Sequence, residues 1–409
     1  MARQGALRRR FGPAAVAAAM AGAMVGAVVM GTVVTGTATP ASAADSPGGG
    51  NDDNGANGNG ANGIGGSGHG GHAATRAAMA DLVRAQGLPG TIVGVQEGHG
   101  GWSAAVGVAD TATGQPRSPR ERFRAGSLTK TFTATVVLQL RAEGRLGLDD
   151  PVEKWLPGVV RGNGNDGSAI TIRQLLGHTS GLFSFDEDPT MIQRLATPDF
   201  LVHRYDTYRP EDLVRTALAH PPLFPPGTSR SYSNTNYLLA GMIIGRVTGH
   251  PYGQEIEQRI LRPLGLSATS LPGTAVGLPR PHALGYSTLF GGSSTPLETT
   301  ELNPSWGGAA GEMISTTADL TRFYSALMRG RLLPRAELDE MMPATGGPGL
   351  GIGSVRLGCG VTVWGHEGTI HGSSTVALTT RDGRHAAAFN TNADWVDGQR
   401  PLAEAEFCR

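Results

Sequence analysis

The chain has 409 residues with 34 Lys and Arg against 34 Asp and Glu, so its formal charge at pH 7 is zero. No basic block stands after residue 43, which argues against nucleic acid and anionic membranes as partners. Residues 73–409 carry regular apolar segments and no low-complexity break, enough chain for one two-part domain with a large core.

Arg3, Arg8, Arg9 and Arg10 precede a Gly/Ala/Val/Met run from Pro13 to Val34 and the small-residue site Ala41-Ser42-Ala43. This is the pattern of an export signal, so residues 1–43 are expected to be a signal peptide and the mature protein to be secreted. An uncleaved anchor is the competing reading, but the Gly, Ala and Thr content makes a poor spanning helix, and no stable membrane span is expected after cleavage. Arg8-Arg9-Arg10-Phe11 fits the twin-arginine route as well as the ordinary one. No cysteine follows the cleavage site to carry a lipid. Residues 44–72 are nearly all Gly, Asn, Asp, Ala and Ser, too little apolar surface to offset ordering entropy, and read as a disordered linker. His69 and His72 lack acidic or thiol partners there, so they are read as solvated and no metal is expected.

Met79, Leu82 and Val83 mark a first helix, and the runs Ile92 to Val95 and Trp102 to Ala109 an early hairpin. After Ser127, an apolar stretch from Phe132 to Leu140 closed by Glu143-Gly144 predicts a buried helix with Ser127 at its start. Further helices are expected over Ile170 to Leu176, Arg209 to Ala219, Tyr237 to Thr248 and Gln254 to Leu261. Thr316 with Asp319 gives a variant capping box for a helix to Met328. Val361 to Gly365, Ser374 to Thr380 and Ala386 to Asn390 are β-type runs, with Asp382-Gly383 as a hairpin turn, before a last helix from Pro401 to Phe407. Strands at both ends with helices between them predict an α/β (α+β) fold: an antiparallel sheet built from N- and C-terminal strands, flanked by helices, with an inserted helical region. The cleft would lie where the parts meet.

Of the 34 basic residues only Lys130 and Lys154 are lysine. A lysine amine can be driven neutral and accept a proton, whereas arginine cannot, so a lysine kept three residues after Ser127 suggests proton transfer. Ser127 and Lys130 at that spacing share one helix face, and the helix N-terminus would favour a neutral amine and a developing oxyanion. Lys154 sits beside Glu153 with no matching serine and reads as a solvated charge. In Tyr232-Ser233-Asn234, Tyr232 can shuttle a proton and Asn234 can donate to a substrate carbonyl. The same residues read equally as a helix cap near Asn236 with a packed tyrosine. In His366-Glu367-Gly368-Thr369, on an edge strand lining the cleft, His366 can act as a donor, Gly368 admits a substrate backbone and the Thr369 N–H can complete an oxyanion hole. Alternatively His366 is a hydrogen-bonded core histidine. Cys359 and Cys408 are an even pair in an exported chain, read as a disulfide, with two buried thiols as the alternative.

Ser-x-x-Lys at Ser127, Tyr-x-Asn at Tyr232 and His-x-Gly at His366 occur in order, about one hundred residues apart. With Leu176 to Leu182, Tyr232 to Tyr237, Trp306 before Ala309-Ala310-Gly311, Cys359-Gly360 and Glu406-Phe407-Cys408, they make residues 73–409 resemble the penicillin-recognising serine hydrolases. Within these, the likeness is to exported, soluble D-alanyl-D-alanine carboxypeptidases related to class C β-lactamases. The resemblance implies Ser127 as nucleophile and Lys130 and Tyr232 as proton carriers. It also implies Asn234 and His366 as substrate and transition-state partners, Trp306 lining the cleft, and the N–H groups of Ser127 and Thr369 as oxyanion hole. It assigns no chemistry to His178 and Ser180. Two departures weaken recognition of a free carboxylate: Glu367 replaces a hydroxyl residue, and Gly353 stands where the family has arginine, with Arg356 nearest. Glu367 either faces the cleft or, by strand alternation, points opposite to His366.

The leading expectation is a cofactor-free serine D-alanyl-D-alanine carboxypeptidase acting through an acyl-enzyme on a small peptide or ester, such as a peptidoglycan stem peptide, with β-lactams as inhibitors. The alternatives are a D-aminopeptidase or amidase, an esterase, or a non-catalytic binder of wall peptides or β-lactams. A monomer is expected.

Overall fold

The computed structural model describes residues 71–342 and 347–409. The residues expected to form a signal peptide, and all but the last two of those expected to form a linker, lie outside the described residues. Helix α1 (Ala73–Gln86) leads into strands β1 (Gly90–Glu97) and β2 (Gly100–Gly107). The helical region includes α2 (Thr129–Ala142), α3 (Asn234–Thr248) and α4 (Thr317–Met328). It is followed by β3 (Gly347–Pro348), β4 (Gly353–Arg356), β5 (Thr362–Ile370), β6 (Ser373–Thr380), β7 (His385–Thr391) and α5 (Arg400–Phe407). The strands make one seven-stranded antiparallel sheet ordered β2-β1-β7-β6-β5-β4-β3, so the two chain ends meet at β1 and β7.

Period-two alternation sorts the core into two layers. Val93, Val376 and Phe389 turn toward α1 and α5, packing with Met79, Leu402 and Phe407. Their neighbours Ile92, Ala377 and Ala388 turn the other way, onto the helices, with Phe132, Val136, Leu320 and Phe323. Small alanines on this second face let α4 lie close across β1, β6 and β7.

Several expectations change in detail. β5 is an interior strand, not an edge strand. Its partner β4 spans only Gly353↔Gly365 to Arg356↔Thr362, however, so the stretch carrying His366 keeps a free edge among the described residues. The capping box at Thr316 is half made. Its hydroxyl accepts from Asp319 N–H, but the Asp319 carboxylate accepts from Ala268 N–H and Thr269 Oγ1 instead. His72 is not solvated: it stacks on Trp102 with centroids 4.3 Å apart and hydrogen bonds to Glu406, 3.1 Å away.

Cys359 and Cys408 are disulfide-bonded, with Cα atoms 5.7 Å apart and a sequence separation of 49, which removes the two-thiol reading. The bond ties α5 to the turn before β5. By loop-closure entropy it contributes about 4 kcal/mol. The Cys359→Ser/Cys408→Ser variant is expected to lose stability of that order in urea unfolding; an unchanged midpoint would show that the bond constrains nothing.

Candidate active site

Ser127 does not open α2 directly. It sits in a 3₁₀ turn, Gly126–Leu128, that feeds the helix at Thr129. Gly126 has φ +56°, a left-handed conformation that favours glycine. The turn packs on the free-edged half of β5 without room for side chains at two points. A Cβ on Gly126 would lie 3.1 Å from Thr369 N, and one on Gly368 only 2.7 Å from Ser127 N and 2.1 Å from Ala125 O. The main chains of Ser127 and Thr369 are thereby brought side by side.

Lys130 is fully buried, and its Nζ donates to Ser127 Oγ at 3.0 Å and to Ala310 O at 2.7 Å. Tyr232 reaches the same serine from the other side, its hydroxyl donating to Ser127 Oγ at 2.9 Å. The Lys130 amine also lies 4.8 Å from the centroid of the Tyr232 ring. Burial pushes Lys130 down to about 7, against the opposing pull of the Asp186 carboxylate, so a neutral amine is accessible near neutral pH. Burial raises the Tyr232 phenol well above its ordinary value. Desolvation outweighs the neighbouring charges there, so the resting phenol carries its proton.

His366 stands beside them, its Nδ1 against Glu367 O, pushed down to about 4 first by burial and then by Lys130. It is a neutral imidazole at neutral pH. Asn234 begins α3 rather than preceding it, with Ser233 in the cap position. Its Nδ2 donates to Asp186 Oδ2 at 3.0 Å, and its N–H to Ser184 Oγ.

Trp306 stands away from the site, and Glu367 enters it from the other face of its strand. Trp306 is 6% exposed, packed edge-on to His371, and it does not line the cavity that holds Tyr232 and His366. Glu367 pairs with Val376 in the register and His366 with Ala377, so Glu367 stands on the α1/α5 face of the sheet and His366 on the helical face. By regular strand alternation Glu367 thus points opposite to His366, yet it lines the same cavity. Its carboxyl is solvent-accessible yet walled by the cavity, which holds it above the usual carboxylate range.

Three residues without a chemical role in the sequence reading belong to the site's surroundings. Asp186 is buried, held above the usual carboxylate range by desolvation, and bonded by Ser184 and Asn234. Arg230 is exposed at the cavity beside Tyr232. His178, with φ +59°, stacks on the Tyr232 ring at 4.3 Å and accepts Ser233 N–H at 3.1 Å. It positions the tyrosine, in keeping with having no chemistry of its own. Among the described residues no cluster of His, Cys, Asp and Glu is arranged to hold a metal, and no helix is long and apolar enough to cross a membrane.

This arrangement can do acyl transfer: a serine hydroxyl between a neutral amine and a protonated phenol, beside two main chains where an oxyanion can form. The signature of the beta-lactamase family matches residues 75–403. A D-stereospecific amidohydrolase from Streptomyces sp. superposes with a TM-score of 0.78 at 52% identity, covering 82% of this chain and 98% of that one. The D-amino acid amidase from Ochrobactrum anthropi SV3, in its complex with D-phenylalanine, gives 0.71 at 28% identity over 82% and 99%. Penicillin-binding protein 4 of Amycolatopsis lactamdurans is 29% identical over 303 residues, 70% of this chain and 72% of the relative. The first curated relatives are matched over 59% and 44% of their own length, so the chain spans about half of them. The chain belongs to the beta-lactamase family, as a serine hydrolase of the beta-lactamase and penicillin-binding-protein type.

Proposed function

We propose that the protein is a D-stereospecific amidohydrolase that cleaves amides, esters or short peptides of D-amino acids through an acyl-enzyme on Ser127. The observation that carries this reading is the convergence of Lys130 Nζ and Tyr232 Oη on Ser127 Oγ, at 3.0 and 2.9 Å, with Lys130 pushed to about 7. Neutral Lys130 takes the Ser127 proton as Oγ attacks the substrate carbonyl. The N–H groups of Ser127 and Thr369 hold the oxyanion. Tyr232 gives its proton to the departing nitrogen or oxygen, and the proton taken by Lys130 restores the phenol. Water then attacks the ester along the reverse route and releases the acid.

The amidohydrolase reading stands ahead of the carboxypeptidase expected first from sequence. It is supported by the 52% identity to a D-stereospecific amidohydrolase over nearly all of that chain. Gly353, in place of a carboxylate-binding arginine, lines the cavity and leaves it no charge at that position. Penicillin-binding relatives keep β-lactams as candidate inhibitors. The disulfide and the leader-like residues 1–43 support work outside the cytoplasm, after export. D-phenylalanine amide is expected to be hydrolysed at least about tenfold faster, in kcat/KM, than its L-enantiomer. Equal rates on both, or activity confined to peptides with a free C-terminal carboxylate, would reject this reading.

A further inference from the structure

The cavity that holds Tyr232 and His366 does not stop at them. It continues round the free edge of β5 onto the opposite face of the sheet, with a total volume of about 420 Å³. That size is in the range of small-molecule sites. On the far face Gly353 and Gly365 oppose each other without side chains, leaving a hollow floored by Val355, Val363, Val376 and Leu378.

The rim of this hollow is polar and unsatisfied. Glu367 and Asp397 line it, and neither carboxylate meets a cation within ion-pair distance among the described residues. Gln399 Oε1 is buried there without a hydrogen-bond partner. The nearby Arg400 guanidinium is already engaged by Glu404 at 2.9 Å and by the carbonyl of Arg356. Apolar walls under acceptors that lack donors describe a guest with a hydrocarbon stem and a positively charged, donor-rich end.

We propose that the hollow is a leaving-group subsite for a basic residue, with the chemistry of a D-lysine or D-ornithine side chain: the stem on the valines and Leu378, the ammonium at Glu367 and Asp397. The assignment rests on the reaction proposed above, in which Tyr232, at the inner end of the cavity, protonates the departing nitrogen. Arg230 stands at that inner end, where its charge is felt at Tyr232 and His366, and it meets the free carboxylate that such a leaving residue carries.

The test compares D-Phe-D-Lys with D-Phe-D-norleucine, which keeps the stem and lacks the ammonium. At low salt, kcat/KM is expected to favour the lysine peptide by about tenfold, the equivalent of one charge-assisted hydrogen bond. The ratio should shrink with added salt and fall toward one in the Glu367→Gln/Asp397→Asn variant. Equal rates in the wild type, a preference that survives both substitutions, or no cleavage of either peptide overturns the subsite. Covalent labelling of wild-type Ser127 by a fluorophosphonate is read in parallel. Labelling without lysine preference removes the subsite alone; absence of labelling removes the acyl-enzyme reading itself.

Discussion

Ser127→Ala lowers kcat/KM on a D-amino-acid amide by roughly 10⁴-fold or more, the loss expected when a nucleophile is removed from a group that acts as a unit. The substitution takes away the one atom on which Lys130 Nζ and Tyr232 Oη both converge. Circular dichroism and the unfolding midpoint are expected to change little, since the 3₁₀ turn is held by its glycine and by the packing of Leu128, which is fully buried. Retention of a tenth of the activity would place the nucleophile elsewhere.

Lys130→Arg is expected to cost on the order of 10³-fold in kcat/KM with substrate binding less affected, because a guanidinium cannot accept the serine proton. The pH profile carries the same claim. With Lys130 at about 7, kcat/KM in the wild type rises as pH increases through that value. Below it the ammonium has no lone pair for the Ser127 proton; above it the amine does. Tyr232, held well above its ordinary value by burial, stays protonated across this window and sets no limb there. An acid limb near 4 instead would point to His366 as the titrating group, and a flat profile from pH 5 to 9 would remove Lys130 from proton transfer.

Much of this site was legible in the sequence because it is written in local spacing. A spacing of three positions from Ser127 to Lys130 is about one helical turn, and that relation survives the replacement of the first turn by 3₁₀ geometry. The β-type runs over Ser374 to Thr380 and Ala386 to Asn390 announced two strands of the sheet. What was hidden depends on distant chain. Asp186 and Arg230 carry no motif and reach the site through loops that no periodicity describes. Trp306 ends a short turn, Pro304–Trp306, that directs it against His371 rather than into the cavity. The interior position of β5 was missed because the strands beyond it, Gly353–Arg356 and then Gly347–Pro348, are too short and too rich in Gly and Pro to show alternation. The helix expected over Gln254 to Leu261 breaks into a π turn at Glu257–Leu261, a change of winding that hydrophobic spacing does not register.

The central claim is that turnover passes through an ester on Ser127. Mixing the wild-type protein with D-phenylalanine methyl ester, quenching in acid within the first turnovers and mapping peptides by mass spectrometry tests it most directly. The account predicts a single added D-phenylalanyl group on the peptide spanning residues 125–141, fragmenting to Ser127 and absent from Ser127→Ala. A stable adduct on any other residue, or steady turnover with Ser127 never modified, contradicts it.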